Sequence, residues 1–201
     1  MRSTTNRSVQ RTRAMIRKAF FTLLRTKPVS KISVRELAET CNISRGTFYL
    51  HYHDVFDLLE QVESELLEEL EQQLLQEVPA GDGEAEFARL RRAFQFVVAH
   101  RDEVELLLGG RGSLTLQHRM EEVVGFYYVE TVTRAYGPLD SSTLDLFRPY
   151  AVAGILGLTR AWLARGCDTA PEDLAQAVGT ASAYGIKGFK TRGGARSVEG
   201  Q

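Results

Sequence analysis

The sequence predicts an all-α protein of about nine helices: a small three-helix unit first, then a larger helical bundle. Three observations lead there. Apolar residues recur at helical spacing through most of the 201 residues, and no segment of useful length alternates with period two. Helix-capping residues and Gly or Pro breaks fall between the periodic stretches. Charge divides the chain as well: residues 1–53 carry 11 Lys/Arg against Glu36 and Glu39, a net of +9. The other 148 residues carry 14 Lys/Arg against 24 Asp/Glu, a net of −10. The overall −1 therefore conceals a basic N-terminal module suited to a polyanion and an acidic body that is not.

Residues 1–9 are polar and basic and read as a flexible arm. From Arg11 to Thr26, the residues Ile16, Ala19, Phe20, Leu23 and Leu24 form one apolar stripe, with Arg13, Arg17 and Arg25 off it. Pro28 ends that helix. Ser33 to Glu36 matches the S-x-x-E capping box and opens a short helix through Leu37, Ala38 and Cys41. Asn42-Ile43 makes a tight break, and Ser44 caps a further short helix from Arg45 to about Tyr52. Asp54 caps a long helix that follows Val55, Leu58, Leu59, Val62, Leu66, Leu70 and Leu74 to Val78-Pro79. The expected boundaries are an arm over 1–9, a basic domain over 10–53, a connecting helix over 54–78, the body over 79–190 and a flexible tail over 191–201.

In the body, Ala80 to Gly83 is a loop. Helices are expected over about Glu84–His100, Glu103–Leu108, Leu114–Tyr136, Ser142–Arg165 and Glu172–Lys190. Breaks fall at Gly109 to Gly112, at Gly137-Pro138 and from Gly166 to Pro171. The Gly109–Gly112 segment lacks the strand and the Lys-Ser/Thr of a phosphate loop, so it reads as a turn. The helix over 142–165 is apolar nearly all round and rich in Ala151, Ala153, Gly154, Gly157 and Ala161, which suits close helix packing.

Several classes drop out. No apolar run reaches the ~18–20 residues of a membrane helix. No signal-peptide core precedes the basic domain, and Cys41 and Cys167 form no C-x-x-C, so a cytoplasmic protein with reduced thiols is expected. No nucleophile–base pair, Gly-rich cofactor loop or carboxylate cluster with metal spacing argues for an enzyme. His118 with Glu121 or Glu122 has the spacing of two ligands on one helix, but scattered ligands of this kind seldom make a site. No catalytic residue, metal or cofactor is expected.

A short helix, a tight turn and a second short helix, packed on a first, make a helix-turn-helix: the second helix braces and the third enters the DNA major groove. Ser44 stands at the third helix's N-terminus, where free N–H groups favour phosphate. Gly46 permits close approach. Thr47 offers a hydroxyl and a methyl to a base edge. Arg45 suits guanine or phosphate, and Tyr49 and His51 can donate to phosphate and set register. With Arg35 and His53, these make the expected DNA-contact set. Phe48, Ile43, Leu37, Ala38, Ile16 and Phe20 are the expected core of the unit.

The segment from Ile32 to Leu59 resembles the DNA-binding domain of the TetR/AcrR family of transcription regulators. Its centre is Gly46-Thr47-Phe48-Tyr49, then His51-Tyr52, Asp54 and Leu58-Leu59. The resemblance covers roughly residues 10–60. It implies that Thr47, Tyr49 and His51 face DNA and that Phe48 and Leu58 are buried. One position departs: where the family has a phosphate-binding Lys at the start of helix four, this chain has Val55. The preceding family Lys matches His53, a weak replacement at neutral pH.

Tyr150 to Gly166, with Pro171 to Ala175, is similar to the penultimate helix and following turn of a TetR subgroup that includes regulators of the dihydroxyacetone-kinase type. The resemblance implies a four-helix dimer interface, here with Ala151, Gly154, Gly157, Leu158, Ala161, Leu174, Val178 and Ala181. A homodimer also follows from reading a palindrome, because two recognition helices must reach grooves ~34–36 Å apart. Phe94, Val97, Met120, Val124, Tyr127, Tyr128, Phe147 and Trp162 are candidates for an effector cavity between helices. The expected partners are a palindromic double-stranded DNA operator, a second copy of the chain and a small-molecule effector, without a membrane. The expected function is a repressor released by that effector. The alternative is a ligand-independent regulator or activator working through a protein partner.

Overall fold

The computed structural model describes residues 2–76, 84–138 and 140–196. Among the described residues there are nine α-helices and no strand. They are α1 (Arg2–Leu24), α2 (Val34–Cys41), α3 (Arg45–Tyr49), α4 (Val55–Leu75), α5 (Glu84–Ala99), α6 (Arg101–Leu106), α7 (Leu114–Tyr136), α8 (Ser141–Ala164) and α9 (Pro171–Arg196). A short 3-10 turn, Val29–Lys31, precedes α2, and a π-helical turn, Leu107–Arg111, follows α6. Gly110 takes a positive φ of 97° inside that turn, which is why the Gly-rich break does not continue as regular helix.

The ends differ from expectation. The segment read as a flexible arm is helical from Arg2, because it is polar but holds no Gly or Pro to break a helix. At the other end α9 runs on through Gly193 and Gly194 to Arg196. The expected loop over 80–83 and the last five residues of the expected tail lie outside the described residues. Pro149 sits inside α8 without ending it.

The chain forms two compact units, Met1–Leu67 with Asp102–Leu116, and Glu68–Arg101 with Gln117–Gln201. The division falls within helix α4.

In the first unit, Ile16, Phe20 and Leu24 of α1 lie four residues apart on one helix face and are fully buried, as are Leu37, Phe48 and Leu58. Ile43, expected in this core, is only half-buried. The arginines off the α1 stripe do not wait for a polyanion. Arg13 donates to Glu65 at 2.8 Å and to Gln61 at 2.9 Å; Arg17 donates to Glu65 at 3.1 Å and to Glu103; Arg25 donates to Asp102 at 2.6 Å. Three of the eleven N-terminal cations are thus paired with acidic residues of α4 and α6. The carboxylate of Glu63 is buried and accepts from the Ser113 amide at 2.7 Å and its hydroxyl at 2.6 Å. Ser113 in turn caps α7, its Oγ accepting from Leu116 N–H at 2.9 Å.

The second unit is built from α5, α8, α9, most of α7 and the end of α4. Trp162 is fully buried, meets Phe94 edge-on at 5.7 Å, and donates its indole N–H to Thr169 O at 3.0 Å. Tyr128, Val132, Phe147 and Ala151 form a second cluster. At Gly179 an added Cβ would lie 2.1 Å from Phe87 Cε1, so glycine there lets α5 and α9 close on each other. Asp140 caps α8: its Oδ1 accepts from Thr143 N–H at 2.8 Å, and the Ser142 and Thr143 hydroxyls donate to it. Those donors hold its carboxyl down at about 2.

Candidate nucleic-acid interface and effector cavity

The helix-turn-helix is assembled by local chemistry. Ser33 caps α2, its Oγ accepting from Glu36 N–H at 3.2 Å. The Glu36 carboxylate is engaged by Lys27 Nζ at 2.5 Å and 2.6 Å, so a cation counted toward the basic module is paired beside the capping motif. Asn42 ends α2 in the left-handed conformation, φ 54° and ψ 46°, and Ile43 N–H returns to Ala38 O at 2.9 Å. Ser44 then caps α3, accepting from Thr47 N–H at 2.9 Å while its Oγ lies 2.9 Å from Thr47 Oγ1. Phe48 drives α3 onto the core, packing at 5.7 Å from Tyr52, itself only 3% exposed.

With Phe48 inward, Ser44, Arg45, Gly46 and Tyr49 stand exposed, and Thr47 and His51 are half-buried. An added Cβ at Gly46 would meet only Ser44 Oγ at 3.6 Å, so nothing inside the protein requires glycine there. Arg35 is exposed on α2 and tied to Glu39 at 2.8 Å, which raises its pKa. His53 is exposed, and its backbone N–H donates to Asp57 at 2.7 Å. The Gln61 amide, then this bond, hold the Asp57 carboxyl below its usual value. Asp54 caps α4 through Phe56 N–H at 2.7 Å and Asp57 N–H at 2.8 Å. Val55, which stands where the sequence resemblance implied a phosphate-binding Lys, is buried at 5% exposure and belongs to the core. Leu50 and Phe56, absent from the expected set, are strongly exposed apolar neighbours of α3.

In the second unit an apolar cavity of about 100 Å³ is lined from α4 by Leu70 and Leu74, from α5 by Arg89, Leu90 and Ala93, and from α7 by Val124, Tyr127, Tyr128, Thr131 and Val132. Ile155 of α8 and Val178, Gly179 and Ser182 of α9 complete it. Of the eight residues expected, Val124, Tyr127 and Tyr128 line it. Phe94, Val97, Phe147 and Trp162 are buried in side-chain packing instead, and Met120 is half-buried away from the lining. Arg89 is the cavity's charged residue. Glu130 accepts from its two terminal nitrogens at 2.8 Å and 3.2 Å, and its guanidinium carbon lies 5.7 Å from the centre of the Tyr127 ring. Burial first, then the charge of Glu71, push the Tyr127 hydroxyl pKa up.

Along α8 and α9 a further face stays open. Leu146, Tyr150, Gly154, Gly157 and Ala161 of α8 and Ala181 and Tyr184 of α9 are exposed. Four residues expected there are placed otherwise: Ala151, Leu174 and Val178 are buried inside the protomer, and Leu158 is half-buried. Among the described residues no group of three or more His, Cys, Asp or Glu is placed to hold a metal. None of the helices searched among them is long and apolar enough to cross a membrane.

Residues 87–182 match a family model described as a transcriptional regulator C-terminal region. An uncharacterized HTH-type transcriptional regulator, YxbF of Bacillus subtilis (strain 168), is 37% identical over 49 residues, 24% of this chain. The match covers only 13% of that relative's length. Among solved structures, the TetR transcriptional regulator from Streptococcus agalactiae 2603V aligns over 90% of this chain and 99% of its own, with TM-score 0.68 and 20% identity. The dihydroxyacetone kinase operon activator DhaS aligns over 88% of this chain and 96% of its own, with TM-score 0.60 and 17% identity. Its fold is thus similar to that of this chain.

Proposed function

We propose that the chain is a DNA-binding transcriptional regulator of the TetR type, in keeping with its similarity to such proteins, and that it acts as a homodimeric repressor which a small molecule releases from a palindromic operator. The observation that carries this reading is the pairing of two features in one chain. One is a capped recognition helix whose polar residues, Ser44, Arg45, Thr47 and Tyr49, are not buried. The other is an apolar cavity walled by the far end of the helix that follows it. The glycine at Gly46, which no internal contact demands, suits close approach of a DNA backbone. Thr47 reads a base edge; Arg45, Tyr49 and His51 hold phosphates and register.

The exposed face of α8 and α9 supports the dimer. Gly154 and Gly157 have nothing within 4 Å of an added Cβ, and Tyr150 and Tyr184 are 73% and 74% exposed, which is the surface a second copy would cover. Helix α4 supports the coupling. It is one continuous helix with Leu58 in the core of the first unit and Leu70 and Leu74 on the cavity wall. A ligand that prefers one position of Leu70 and Leu74 biases that helix by its differential affinity.

Fluorescence anisotropy on the DNA upstream of the chain's own gene tests the proposal. Binding should saturate at two protomers per palindrome and weaken steeply with salt. Absence of salt-dependent binding to any palindrome there would refute it. A second reading, an activator working through a protein partner, is favoured by the fold likeness to a protein whose printed name is an operon activator. Transcription from the bound promoter in a purified system, rising rather than falling with the protein, decides for that reading.

A further inference from the structure

The recognition helix has one ridge that lies farthest from the core, and a leucine stands on it. Successive residues of an α-helix are turned by about 100° around its axis. Phe48 is fully buried and marks the inward side of α3. On that spacing the residues opposite Phe48 are Gly46 and Leu50, one turn apart, with Leu50 N–H donating to Gly46 O at 3.2 Å. Leu50 is the C-cap of α3 and keeps right-handed helical angles, φ −70° and ψ −18°. It is 83% exposed, while an added Cβ at Gly46 would meet only Ser44 Oγ at 3.6 Å. The outer ridge is therefore low at Gly46 and rises at Leu50. Arg45 and Tyr49 flank it on one side and Thr47 on the other, so the hydrogen-bonding groups of α3 lie to either side of an apolar tip. A single exposed leucine on an ordinary surface needs no explanation. On the ridge that enters a groove, it must meet something there.

From this geometry we propose that Leu50 reads a thymine: its side chain packs on the C5-methyl group of one T·A pair in each half-site. The inference rests on the operator-binding reading above and adds a specificity-determining residue to it. In the major groove the base pairs differ in their donors and acceptors, and thymine alone adds a methyl group. A branched apolar tip has no donor or acceptor. Against guanine N7 and O6, the cytosine amine or a phosphate, it strips water from a polar group and returns nothing. Against the thymine methyl, it buries apolar surface on both sides of the contact. Gly46, which has no side chain to hold the helix off, lets this ridge approach the base edges. Leu50 then supplies the reach that Gly46 lacks, one turn further along.

Anisotropy titrations of the full chain on the palindrome it binds test this, with each thymine in turn replaced by deoxyuridine in both half-sites. That replacement removes the methyl group and leaves every hydrogen-bonding group in place. At one thymine per half-site it should weaken binding roughly fifteenfold, about fourfold for each buried methyl. Leu50→Ala should weaken binding to the unmodified palindrome by a similar factor and abolish the difference between thymine and deoxyuridine at that position. Deoxyuridine effects at other positions should be unchanged by Leu50→Ala. At 83% exposure Leu50 contributes little to the core, so thermal unfolding of the variant should match that of the natural chain. The proposal is overturned if no deoxyuridine replacement weakens binding to the unaltered chain, a comparison that needs no variant to fold. It is also overturned if Leu50→Ala weakens thymine and deoxyuridine palindromes equally, as contact with a sugar would. The failure of the operator reading looks different and removes both: the unaltered chain then binds no palindrome at all.

Discussion

Replacing Glu63 by Gln probes the buried carboxylate of the first unit. Glu63 is 5% exposed and accepts two hydrogen bonds from Ser113, at 2.7 Å from the amide and 2.6 Å from the hydroxyl. Glutamine keeps the volume and one acceptor oxygen, but its NH₂ group cannot accept from the hydroxyl. That hydroxyl oxygen accepts from Leu116 N–H at 2.9 Å on one lone pair and can accept from the glutamine NH₂ on the other, but its own O–H then loses its acceptor. One hydrogen bond to a charged acceptor is lost, and a buried donor is left without its partner. Such a loss amounts to about 2 kcal/mol. In a chain of this size it lowers Tm by roughly 4–8 °C. Thermal unfolding followed by circular dichroism measures it. A double-mutant cycle with Ser113→Ala should show coupling of about 1 kcal/mol or more, because the two residues share the contact. The control is Arg35→Ala, which removes an ion pair whose side chains are 74% and 63% exposed; exposed pairs of this kind contribute about 0.5 kcal/mol or less. A change below about 0.5 kcal/mol for Glu63→Gln would show that burial does not strengthen this contact, against the reasoning from hydrogen-bond satisfaction.

Other outcomes follow from the same structure. Arg45→Ala should flatten the slope of log affinity against log salt by about 0.9, whereas Thr47→Val should change which bases are preferred; anisotropy titrations on operator variants separate the two. Gly157→Glu places a charge on the open face of α8 where an added Cβ meets nothing within 4 Å, so sedimentation should show a folded monomer that no longer binds a palindrome. For Asp140, the carboxyl is held down at about 2 in the folded chain against 3.8 as a free side chain. A depressed carboxylate stabilises above its unfolded value and loses that contribution as pH falls through its folded value. The urea stability of the natural chain relative to Asp140→Asn should therefore be flat above about pH 4 and decline toward about pH 2.

The helix-turn-helix was legible because its determinants are local. Ser33, Ser44 and Asp54 cap the helices they precede, Asn42 breaks where expected, and Phe48 and Leu58 are buried. Contacts between residues distant in sequence were not legible. Arg17 reaches Glu103 and Glu63 reaches Ser113, and nothing in a helical stripe announces a partner 86 or 50 positions away. Those pairs change the meaning of the +9 charge, since Arg13, Arg17, Arg25 and Lys27 serve ion pairs inside the fold. The cavity was half-legible. An aromatic at helical spacing carries the same signal whether it fills a core or lines a void, so Trp162 and Phe94 looked like Tyr127 until packing separated them. Arg89 and Gly179 carried no pattern of their own. Polarity misled at the N-terminus, where residues 2–9 are hydrophilic yet helical.

The central claim is that two copies of α3 read DNA together. Hydroxyl-radical footprinting of the chain on the palindrome it binds tests it most directly. Two protected patches on one face of the duplex, centred about 10–10.5 base pairs apart or a multiple of that spacing, are the expected result. Loss of both patches with Gly157→Glu should accompany it. A single patch, or protection spread evenly along the duplex, would contradict paired recognition helices.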